Sequence, residues 1–114
     1  ECANKYNKHR QKSNERLKLY NSSTWQQCRK NVRLKYLDYD IWLLGIGELR
    51  KCDGVVVHHI VERDEDPELT FALDNLITVG TDSHAEIHVM YKTDKEAALA
   101  RIIEGKRKFE EMFG

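Results

Sequence analysis

The sequence predicts one small domain of the α+β class, and three observations predict it. Two short runs rich in β-branched residues, Val55-Val56-Val57 continuing to Ile60-Val61 and Leu76 to Val79, have the character of strands. Stretches with helical spacing of apolar residues lie before and after them. A chain of 114 residues, 33% charged and 40% hydrophobic, supplies one modest core and not two.

Residues 1–21 are polar and rich in Lys, Asn and Arg, and are expected to form a basic arm or a loosely docked helix. Ser22-Ser23-Thr24 offers N-caps to a basic helix ending near Asp38. There Trp25, Cys28, Val32 and either Leu34 or Tyr36 approximate one apolar face, with Arg29, Lys30, Arg33 and Lys35 largely off it. Asp40 to Leu44, followed by Gly45-Ile46-Gly47, is an apolar patch broken by glycines and is expected to be a short strand or turn.

Asp53-Gly54 marks a turn into the first strand. The acidic loop from Glu62 to Asp74, with its single proline at Pro67, is too long for a tight hairpin and leads to the second strand. Thr81 or Asp82 is expected to cap a helix running to about Tyr91 or Lys92. Thr93-Asp94-Lys95-Glu96 fits an S/T-x-x-E capping box before a last helix, in which Leu99, Ile102, Ile103, Phe109 and Met112 are available for packing.

Zero net charge conceals an uneven distribution. Residues 1–38 carry ten Lys/Arg against three Asp/Glu, a balance of +7; residues 39–80 stand at −6 and the remainder at −1. A cationic first third suits a polyanion partner, although a solvated basic helix has the same composition. Cys2, Cys28 and Cys52 are scattered and form no C-x-x-C, so neither a disulfide framework nor a cysteine zinc site is indicated and a reducing compartment fits. No apolar stretch approaches membrane-spanning length and no signal-peptide pattern opens the chain, so a soluble protein is expected; the start at Glu1 without a methionine qualifies any statement about targeting.

Four of the five histidines fall between residues 58 and 88. His58 and His59 are consecutive on the first strand, where neighbouring side chains point to opposite faces, so one can address a metal while the other looks elsewhere. His84 and His88 are spaced i, i+4 on the helix, which stacks both imidazoles on one face at a spacing that can chelate an ion. Three of the four can meet at one cation.

The runs V-V-V-H-H-I-V, L-D-N-L-I-T-V and D-S-H-A-E-I-H, in this order, resemble the HNH endonucleases of the ββα-metal superfamily. The resemblance implies a core over residues 54–92 made of a two-stranded antiparallel sheet and a helix, flanked by the N-terminal basic helix and the C-terminal helix. The stretch Tyr20 to Trp25 with the basic helix after it is similar to small phage-type HNH proteins, which often lie beside DNA-packaging genes. That likeness implies terminase components as partners and the host cytoplasm as location. Many such proteins bind a structural zinc through two C-x-x-C pairs; here those positions hold Ile41 with Leu44 and Gly80 with Ser83, so apolar packing is expected in place of the zinc.

By resemblance, His59 is the general base, Asn75 orients the loop after the first strand, and His58, His84 and His88 ligate one divalent cation. Three imidazoles favour Zn²⁺, Ni²⁺ or Mn²⁺ over Mg²⁺ by ligand type, while Mg²⁺ activity stays open. The function implied is metal-dependent cleavage or nicking of DNA with little sequence preference. Arg29, Lys30, Arg33, Arg50 and Lys51 are the candidate phosphate contacts, against an equal expectation of ordinary solvated charge. The competing reading is a non-catalytic DNA-binding accessory protein with a structural His-bound zinc, and an RNA substrate is a third. Trp25 and Trp42 are expected in the core or at an interface, and Glu62, Asp64, Glu65 and Asp66 at the surface. Strand cutting mode and oligomeric state are not encoded in any of these signals.

Overall fold

The structure, a computed structural model, describes residues 22–114; the expected arm over residues 1–21 lies outside them. Among the described residues four helices and one two-stranded antiparallel sheet make a small α+β fold: α1 (Ser23–Tyr36), α2 (Ile41–Leu44), β1 (Val56–His59), β2 (Leu76–Val79), α3 (Thr81–Thr93) and α4 (Lys95–Phe113). Two short 3₁₀ turns, Pro67–Leu69 and Leu73–Asn75, shape the loop between the strands. None of the described helices is long and apolar enough to cross a membrane.

α1 begins where Ser22 accepts a hydrogen bond from the Trp25 N–H, and it buries Trp25, Cys28, Val32 and Tyr36. The alternative face residue Leu34 is 64% exposed. The helix ends in a left-handed pair, Leu37 at φ 55° and Asp38 at φ 60°. Both are non-glycine, a strained choice that the Arg33 guanidinium offsets by clasping the Asp38 carboxylate at 2.9 and 2.8 Å.

The patch after it is a one-turn helix and not the expected strand or turn. Asp40 explains the difference. Its carboxylate caps α2 at the Leu43 N–H (3.1 Å) and also accepts from the Gly80 N–H (2.9 Å) and the Ser83 hydroxyl (2.7 Å). A single buried anion thus closes α2 and ties it to the turn between β2 and α3. Gly80 and Ser83 are two of the positions that the sequence resemblance aligns with cysteine. The edge is therefore held by a hydrogen-bonded carboxylate as well as by Ile41, Trp42 and Leu44, which are all buried.

Cross-strand partners share a face of the sheet. The register pairs His58 with Ile77 and His59 with Leu76, so Ile77 lies on the side of His58 and Leu76 on the side of His59. Every residue of β2 is buried. α2 packs on α4 at very close range: a methyl group at Gly105 would meet the Ile41 carbonyl oxygen, and one at Gly45 would meet the Arg101 backbone. Gly45, which by sequence is a chain breaker, is thus also a point of close approach. Arg101 lies over the Trp42 ring at 3.8 Å, and the buried Trp42 indole N–H has no hydrogen-bond partner among the described residues.

α4 starts one residue later than the capping box predicts. Asp94, not Thr93, is the N-cap and accepts from the Ala97 N–H at 3.2 Å, while the Thr93 hydroxyl turns back to the Val89 carbonyl. The buried stripe is Ala98, Ile102, Gly105 and Phe109; Ile103 and Met112, expected to pack, are exposed.

Candidate metal and catalytic cleft

β1 alternates, and its two histidines part company. His58 is 5% exposed and turns toward α3. Its ring centroid lies 5.5 Å from that of His84 and 6.1 Å from that of His88, and those two are 4.4 Å apart. The i, i+4 spacing on α3 brings the Nε2 atoms of His84 and His88 to 3.0 Å of each other. Two imidazole nitrogens each ~2.0–2.1 Å from one ion stand roughly 3 Å apart, so this pair already has a chelating separation. The Nε2 of His58 is engaged by the Tyr91 hydroxyl at 3.2 Å. Among the described residues no group of three or more His, Cys, Asp or Glu side chains is placed so that it could hold a metal ion as it stands.

Electrostatics favour neutral imidazoles here. Burial, and then the neighbouring imidazoles, push the pKa of His58 down to about 3; burial and His88 lower that of His84. Both are neutral near pH 7, the state a ligand nitrogen requires. By ligand type alone, imidazoles such as those of His58, His84 and His88 would suit a borderline divalent cation.

His59 turns to the other face and meets α1. Its Nε2 lies 3.1 Å from the Thr70 carbonyl oxygen, which can only accept, so that nitrogen carries the proton and Nδ1 keeps the lone pair. The ring stacks on Trp25, with centroids 5.3 Å apart and planes 15° from parallel. Burial lowers its pKa, the Thr70 hydrogen bond partly offsets this, and the charge of Arg63 lowers it further. His59 is neutral at pH 7.

Asn75 is buried and uses both ends of its amide. Its Oδ1 accepts from the Val61 N–H at 2.8 Å, and its Nδ2 donates to the Val61 carbonyl at 3.1 Å and the Leu69 carbonyl at 3.3 Å. These bonds clamp the segment just after β1 to the segment just before Thr70. His58, His59, His84 and His88 line one open cleft of about 410 Å³, joined by Val56, Val57, Glu62, Arg63 and Asp64.

The basic candidates are divided. Arg29, Lys30, Arg33 and Lys51 line a second groove of about 630 Å³ along α1; Arg50 does not. Three of these four have structural partners: Arg29 reaches the Val55 carbonyl, Arg33 holds Asp38, and Lys51 reaches the Leu37 carbonyl.

Sequence reasoning missed Tyr91, Thr70 and Arg63, and placed Trp25 only in the core or at an interface. Tyr91 had a legible signal, since it follows His84 by seven and His88 by three and so shares their helix face. The carbonyl of Thr70 had none. Compared with family models, with curated proteins and with solved structures, the chain matches none.

Proposed function

We propose that this chain is a metal-dependent endonuclease of the HNH type that hydrolyses phosphodiester bonds in DNA. One observation carries the reading: four histidines from β1 and α3 line a single cleft, three with their rings gathered and the fourth held apart with Nδ1 bare. The Asn75 clamp and the order of the motifs add to it.

In this reading His58, His84 and His88 hold one divalent cation, Zn²⁺, Ni²⁺, Mn²⁺ or Mg²⁺, which when bound supplies charge neutralisation at the scissile phosphate and its leaving oxygen. His59 removes a proton from the attacking water at Nδ1. A neutral imidazole whose other nitrogen is committed to a carbonyl is the protonation state this step needs. Asn75 keeps the segments on both sides of His59 in register through Val61 and Leu69. Arg63, half-buried at the cleft, presents a guanidinium to a phosphate oxygen, while Lys30 and its neighbours on α1 extend the cationic surface along the backbone of the polymer. In this reading these groups contact the phosphate backbone, which carries no sequence information directly, so low sequence preference is proposed.

The test is conversion of supercoiled plasmid by the full chain with Mn²⁺, Mg²⁺, Ni²⁺ or Zn²⁺. Nicked or linear product that disappears with EDTA and with His59→Ala, while DNA binding persists, is expected. Metal and DNA binding with no product for any ion would make the chain an accessory binder instead.

A further inference from the structure

His58 can offer the cluster only one of its ring nitrogens, and a tyrosine decides which. The Tyr91 hydroxyl oxygen lies 2.7 Å from the Ile60 carbonyl oxygen and 3.2 Å from His58 Nε2. A hydroxyl has one proton to donate and a carbonyl has none. The Tyr91 proton therefore goes to Ile60, leaving the hydroxyl oxygen to accept from His58. The imidazole proton is thereby fixed on Nε2, and Nδ1 keeps the lone pair. The ring is buried and set edge-on to the Tyr91 ring at 5.4 Å, so it has little room to turn over.

We propose that Tyr91 is the positioning residue of the metal centre: its hydroxyl holds His58 as the Nε2–H tautomer, presents Nδ1 to the cation and so sets metal affinity. The inference rests on His58, His84 and His88 being the ligands. It also gives the site a fixed frame. Ile60 donates its N–H to the Asn75 carbonyl and accepts the Tyr91 hydroxyl, so the end of β1 is tied to the Asn75 clamp on one side and to α3 on the other. α3 carries His84 and His88. One hydroxyl thus fixes both the tautomer of the strand ligand and the position of the strand relative to the helix ligands. Removing it leaves a buried Nε2–H without an acceptor, or lets the proton migrate to Nδ1, where it competes with the ion.

Tyr91→Phe keeps the packed ring and deletes only the hydroxyl. Co²⁺ titration of the metal-free full chain, followed by visible absorbance and by competition with Zn²⁺, should show affinity lower by roughly 10- to 100-fold in the variant. Long-range ¹H–¹⁵N NMR of the metal-free wild type should show His58 as the Nε2–H tautomer, and the variant should lose that preference. Affinity within twofold of wild type, or a wild-type His58 protonated on Nδ1, overturns the inference and leaves the nuclease reading standing. A wild type that binds none of Co²⁺, Zn²⁺, Ni²⁺ or Mn²⁺ overturns the ligand assignment and this inference with it. Were the variant to melt at room temperature, the wild-type tautomer decides alone.

Discussion

His58 and His59 are adjacent on one strand, yet each is held by a different helix through a different kind of contact. The α3 side is polar and crowded: His58 sits among two more imidazoles and a tyrosine hydroxyl. The α1 side is aromatic and singular: His59 lies flat against one indole with one carbonyl on its Nε2. The pleat of a four-residue strand produces this division, since successive side chains leave opposite faces. A cluster of neutral imidazoles suits holding a cation, and a lone imidazole with one free nitrogen suits moving a proton. In the proposed function the two roles can stand within one residue of each other because the backbone separates them.

The largest effect that can break this comparison is on cleavage. His59→Ala should lower the plasmid cleavage rate by roughly 10²–10⁴-fold with DNA affinity unchanged, as expected for loss of a general base. A variant that cuts like wild type would remove His59 from the chemistry.

The α3 side should respond to acid. In EDTA, folded His58 resists protonation down to about pH 3, whereas the unfolded chain takes up that proton near 6.5. Between those values the unfolded state binds more protons, so stability is greatest above about pH 6.5 and falls as the pH drops toward 3. Urea unfolding at pH 7 and pH 4.5 should differ by on the order of a few kcal/mol, and His58→Gln should flatten the dependence. An equally steep dependence in His58→Gln would place the acid lability elsewhere.

The α1 side is sharpened through Trp25, which is 7% exposed and also touches Phe71, the neighbour of Thr70. Trp25→Leu keeps an apolar side chain but removes the flat face under His59. The turnover rate should fall by roughly 10- to 100-fold, because small misplacements of a reacting group are costly, while metal affinity stays at the wild-type value. Trp25→Phe should recover most of the loss. Equal rates for the leucine variant and wild type would reduce the stack to core packing.

The smallest effect lies away from both faces. Gly105→Ala drives a methyl group into the Ile41 carbonyl and should cost about 1–3 kcal/mol in urea unfolding, with the same loss in metal and in EDTA. A metal-dependent loss would mean that the α2–α4 contact and the cleft are coupled.

Much of this was legible in the sequence, and the exceptions share a cause. β2 matches its apolar run at Leu76–Val79, and α3 covers the expected stretch as Thr81–Thr93, because both signals are local; the expected cap does not hold, since the N-cap is Gly80, without a side-chain cap bond, and neither Thr81 nor Asp82. That His58 and His59 part company, and that His84 and His88 share a face, was legible from the strand alternation and the i, i+4 spacing. The stretch Ile41–Leu44 was misread because its helical state depends on the Asp40 cap, and Asp40 is itself fixed by Gly80 and Ser83 some forty residues on. The cap of α4 was misplaced by one residue because Thr93 and Asp94 are both competent caps and backbone geometry chose between them. The partners of His59 are hidden for the same long-range reason: Trp25 and the Thr70 carbonyl meet that ring through tertiary packing, whereas Tyr91 is legible from its helix face.

The central claim is that three of the four cleft histidines share one ion and the fourth does not, and metal titration of the four single His→Ala variants tests it most directly. One ion per chain in wild type and in His59→Ala, with affinity lost in His58→Ala, His84→Ala and His88→Ala, is the predicted result. An ion lost equally from all four variants, or no ion in wild type, would contradict it.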